Sequence, residues 1–136
     1  MDRVSKLLQK MEQGSLLPKL VLEQSDIVAA LDQRDHPLFG DAWMRAFRQV
    51  EMKKGGKLDA EPRVGRLREL AYLQAYERWQ SPDLAAYISD DFGLIGDALA
   101  TNYNDEWLNG LLDAYLSLKF PYGSLPERSG DLGEDL

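Results

Sequence analysis

The chain has no cysteine, one histidine and, from Trp79 through Leu118, no lysine or arginine. The first absence excludes disulfides, thiolate zinc sites and a cysteine nucleophile. The second excludes a histidine-rich metal site and a histidine relay. His36 precedes Pro37, where a capped loop histidine is the expected reading and a general base the lesser one. No apolar run approaches the roughly 20 residues that a membrane span requires. The start, Met1 to Lys6, leads into an amphipathic segment, so no signal peptide is read and a cytoplasmic setting is expected. Paired Glu-x-x-Glu or Glu-x-x-His elements, which build helical di-metal sites, do not occur. Lys54-Gly55-Gly56-Lys57 lacks the spacing of a phosphate-binding loop and no strand precedes it. No metal and no cofactor are therefore expected, and the balance leans against an enzyme.

The sequence does carry a strong charge asymmetry. Residues 1–78 hold fourteen Lys/Arg against twelve Asp/Glu, whereas Trp79 to the end holds two against eleven. Within the cation-free stretch stand seven acids (Asp83, Asp90, Asp91, Asp97, Asp105, Glu106 and Asp113) and six aromatics. Such an asymmetry bears on partners rather than on chemistry. It repels polyanions, so nucleic acid is not expected as a partner, and the lack of a long apolar run leaves no membrane expected either.

Apolar spacing predicts helices throughout. Val4, Leu7, Leu8 and Met11 recur at i, i+3, i+4 and i+7. Ser25-Asp26 reads as the start of a short helix to Leu31, and residues 33–40 as a loop punctuated by Pro37 and Gly40. A third helix is expected from about Asp41 to Lys53, and a fourth over roughly 62–79 with Leu73 and Tyr76 in its apolar set. Ser81-Pro82-Asp83 is a strong helix start: hydroxyl cap, proline at the first helical position, then an acid at the positive end of the dipole. The segment from Pro82 to Tyr103 reads as one kinked helix, or as two meeting near Ser89, because Gly93 and Gly96 each cost about 1 kcal/mol inside a helix. Asn104 is expected to cap a last helix, apolar over most of its circumference and therefore central. The 136 residues thus predict an all-α fold, a compact single-domain bundle of five to seven helices over 1–122. Residues 123–136, polar and glycine-bearing, read as a flexible acidic C-terminal tail.

Two sets of side chains stand out as candidate sites. Asp83, Asp90 and Asp97 are seven residues apart, about 10.5 Å per step on one helix, too far to chelate one ion. With Asp91 they suggest an acidic binding surface flanked by aromatics. Arg45, Arg48, Lys53, Lys54 and Lys57 form a candidate basic patch, which equally suits helices packing beside the acidic ones. These features favour a non-enzymatic protein-interaction module of adaptor, assembly-factor or inhibitor type, with a basic protein as partner. A homo-oligomer pairing its basic and acidic poles is a second option. The alternative is a small-ligand- or metal-binding helical protein with Asp91, Asp97 or Glu106 turned into a bundle cavity.

Overall fold

The computed structural model describes residues 1–56 and 61–136. Among them run six α-helices: α1 (Arg3–Glu12), α2 (Ile27–Arg34), α3 (Pro37–Lys54), α4 (Pro62–Trp79), α5 (Pro82–Ala100) and α6 (Glu106–Leu116). The fold is an all-α helical bundle. Short 3-10 turns at Leu17–Lys19 and Gln24–Asp26 lead from α1 into α2.

Local chemistry explains most of the helix starts. The Ser81 hydroxyl accepts from the Leu84 amide, and the Asp2 carboxylate from the Ser5 amide. Pro62 and Pro82 occupy first helical positions, where a missing N–H costs nothing. Three boundaries differ from the sequence expectation for identifiable reasons. Pro37 opens α3 rather than marking a loop, because His36 is its cap: Nδ1 accepts from the Leu38 amide at 3.2 Å. Ser25 lies inside a 3-10 turn and makes no cap hydrogen bond. Asp105, not Asn104, caps α6; Asn104 is drawn away by the backbone amide of Leu132 and by Asp131.

The central element is α5, not α6. It packs against α1, α3, α4 and α6, and its residues from Asp91 to Gly96 are buried without a break. It is a single helix, and Gly96 helps it pack closely on α4. A Cβ on Gly96 would lie 3.1 Å from the side chains of Val64 and Leu67 of α4, so an alanine there would make them shift by a few tenths of an ångström. Ser89 starts no new helix. Its hydroxyl donates to the Arg68 carbonyl and stitches α5 to α4. On the far side of α4, Leu73 and Tyr76 are exposed, with Tyr76 stacked on Tyr72. The apolar set of α4 is therefore wider than the face it buries.

The final segment lies along the bundle. Leu132 is buried, and the Asn109 amide on α6 donates to the Arg128 and Gly130 carbonyls at 2.8 Å each. Gly110 leaves room for the Pro126 carbonyl, which a Cβ there would meet at 2.3 Å. Residues 123–136 therefore do not project as the tail that their composition suggests. Only isolated apolar residues mark the segment, and those few are what anchor it.

Candidate functional site

The seven-residue ladder does not form one surface. Asp83 is exposed in the first turn of α5 and has no ion-pair partner among the described residues. Asp90 is exposed and meets Arg68 of α4 at 3.2 Å. Asp97 is half-buried and accepts from Lys54 of α3 at 3.1 Å. Asp91 is fully buried, which removes it from any acidic surface. The basic candidates are dispersed too. Arg45 reaches Asp105 at 3.1 Å and Lys54 bridges Glu51 and Asp97, while Arg48 and Lys53 are exposed; Lys57 lies outside the described residues. Arg45 and Lys54 of α3 and Arg68 of α4 thus meet acids of the cation-free stretch. Burial raises the pKa of Asp90 and of Asp97, and the partnering cations only partly offset it.

Asp91 anchors a polar network in the core. Both of its oxygens accept from the Arg34 guanidinium, at 2.8 and 2.9 Å, in a bidentate pair. The Trp43 indole N–H donates to it at 3.0 Å and the Tyr115 hydroxyl at 2.6 Å. Four donors occupy this carboxylate, leaving it no free lone pair to offer a metal or a substrate. Among the described residues no group of three or more His, Cys, Asp or Glu side chains is placed to hold a metal ion. Burial, and then the neighbouring Asp91 charge, push the Tyr115 phenol well above its ordinary range. Burial works against the Arg34 charge, but Asp91 and Tyr115 outweigh it and hold Arg34 above the usual arginine value. The guanidinium also lies 4.2 Å over the Phe39 ring and 5.2 Å over Tyr87.

This network ends at a groove. Between the end of α2, the start of α3 and the middle of α5 lies a depression of about 320 Å³. Arg34 and Phe39 line its base, Trp43 and Met44 one side, and Tyr87 and Asp90 the other, with Asp35 at the edge. The Tyr87 hydroxyl donates to Asp35 at 2.5 Å, joining α5 to α2 across the rim. That bond is the first cause of a raised Tyr87 pKa, and Asp83 one turn earlier adds to it. Trp43 is held rigidly: one contact stacks it on Phe47 at 5.5 Å, and its N–H is tied to Asp91. Rigid aromatics with a polar rim are what anchoring sites in protein interfaces are made of. A wider recess of about 830 Å³ lies between α2, α6 and the segment 119–126, where Val21 and Tyr122 are exposed.

Of the acidic candidates Asp83, Asp90, Asp91 and Asp97, only Asp90 lines this groove, and its other lining residues Arg34, Asp35, Trp43 and Tyr87 were not among the candidates. Only Tyr87 carries a signal, since it fits no inward stripe of its helix. Arg34 falls in the segment that reads as a loop, and nothing local pairs it with a residue 57 positions away.

A family model described as immunity protein PIM1 matches residues 6–122. The chain belongs to this family. The match takes in α2 to α6 and most of α1, hence every residue of the groove. No curated protein matches the chain. Among the described residues, no helix is long and apolar enough to cross a membrane.

Proposed function

We propose that this chain neutralises a protein toxin by forming a stoichiometric complex with it, and that the groove between α2, α3 and α5 is the docking face. Membership of an immunity-protein family supports a protein partner and an inhibitor-type role. The observation that carries the choice of face is the convergence of Trp43, Met44 and Tyr87 with Asp35 and Asp90 around one depression. Asp83 and the exposed Asp32, Val28 and Leu38 extend that face beyond the rim. Its free charge is negative, which suits a basic partner and speeds encounter with one. Inhibition of this kind needs binding alone and no chemistry on the partner.

The test uses the full chain as bait in an extract of the cells that make it. Each captured protein is then produced in a susceptible host with and without the chain. The expected result is growth arrest that the chain relieves. Paired Asp35→Lys and Asp83→Lys exchanges weaken the complex about tenfold or more, through charge reversal at the contact. Remote exchanges at Glu12 or Glu77 leave it unchanged. A chain that relieves no toxicity sinks the neutralising role; relief untouched by the two lysine exchanges moves the contact to another face.

A further inference from the structure

We propose that the groove is an anchor pocket for one cationic side chain of the partner, an arginine in the first place. The proposal rests on the toxin-binding reading and makes the contact chemically specific. Arg34 at the base does not oppose it, because Asp91 holds that guanidinium in a bidentate pair within the core. The free charge at the rim is then Asp35, whose only hydrogen-bond donor among the described side chains is the Tyr87 hydroxyl, and Asp90. Asp90 is joined to Arg68 by a single contact at 3.2 Å, and both side chains are about half exposed, at 49% and 54%. Exposed pairs of that kind are weak, and an incoming guanidinium can replace Arg68.

The walls suit the same ligand. Trp43 is fixed by Phe47 and by Asp91, so an indole is held beside the groove without loss of side-chain freedom on binding. Met44, 41% exposed, offers a soft apolar surface for a methylene stem. A depression of about 320 Å³ is at the small end of ligand sites, right for one long side chain and too small for a helix. A planar fork with an apolar stem meets two carboxylates and an aromatic face together.

The probe is Nα-acetyl-arginine methylamide, titrated into the isotope-labelled full chain and followed at the Trp43 indole N–H signal. The controls are the citrulline analogue, which keeps the shape and loses the charge, and the leucine analogue. The expected result is a saturable shift with the arginine compound, at least about tenfold weaker with citrulline, the range a partly desolvated cation–π contact allows. Asp35→Asn with Asp90→Asn removes the difference; both positions are exposed, so the fold survives. A shift of equal size with citrulline, a shift confined to residues of the 830 Å³ recess, or no saturation overturns the anchor pocket. None of those outcomes touches the growth test, so a chain that protects cells yet ignores the probe loses this proposal alone. A chain that binds the probe but protects against nothing loses the toxin reading instead.

Discussion

Asp90 and Asp91 are neighbours on α5, alike in type and each joined to an arginine, yet they live in opposite worlds. Asp91 points into the core, takes four hydrogen bonds and has no exposed surface. Asp90, about 100° further round the helix, takes one bond from Arg68 at the surface. The difference teaches that burial, not the count of charges, sets what an ion pair is worth. Removing one partner of a buried pair leaves the other uncompensated in a poor dielectric, whereas a surface pair is screened and returns little. It also separates two roles within one site: the inner acid fixes the groove, and the outer one is free to meet a partner.

The sharpest way to break the comparison is Asp91→Ala, which strands Arg34. A loss of about 3–5 kcal/mol in unfolding free energy is expected from urea titration. Replacing Arg34 and Asp91 together by apolar residues recovers a large part of it; a loss in the double variant equal to the sum of the two single losses would show that the pair is not coupled.

Tyr115→Phe removes one charge-assisted bond from Asp91 and is expected to cost about 2 kcal/mol at neutral pH. It also changes the alkaline limb. The unfolded chain loses the phenol proton near the ordinary value of 10.0, while the folded chain keeps it because burial holds the Tyr115 pKa well above that. The folded state then binds the extra proton, so stability falls as pH rises above that value, by about 1.4 kcal/mol per pH unit. Denaturant titrations from pH 9 to 11 should show a shallower fall in the phenylalanine variant.

Two glycines of α5 make the contrast in packing. Gly96→Ala gains about 1 kcal/mol of helix propensity but presses on Val64 and Leu67, where overpacking costs about 1–3 kcal/mol, so a net loss near 1 kcal/mol is expected. Gly93→Ala would bring a Cβ to 2.8 Å from the Arg68 Cδ, but that long side chain is about half exposed and can shift as a whole, so thermal unfolding should change little. The smallest effect is that of Asp90→Asn, within about 0–1 kcal/mol in stability. A larger loss there would erase the distinction between the two faces of α5.

Much of the fold was legible. The stripe from Val4 to Met11, the Pro62 and Ser81-Pro82 starts and the all-α class come from spacing and capping, which act within one turn of the chain. Where local signals misled, a distant group had intervened. Leu132 took Asn104 from its helix cap, and α4 came close enough to turn two apparent helix breakers into packing residues. His36 shows the limit from the other side: it reads as a loop histidine, but it caps a helix that the sequence did not show, because Pro37 can end one helix as well as open the next.

For the site, the residues alone determined that the basic residues gather before Trp79 and leave the acids beyond it without cations in sequence, and that helices would carry them. The tertiary structure decided which of those acids remain available. Arg34, Trp43 and Tyr115 converge on Asp91, Lys54 of α3 and Arg68 of α4 meet Asp97 and Asp90, Asp35 is left at the rim of a groove, and Asp83 is left without an ion-pair partner among the described residues. A helix repeats every 3.6 residues, so neighbours in sequence face different surroundings, and only the packing of distant helices assigns one to the core and the next to solvent.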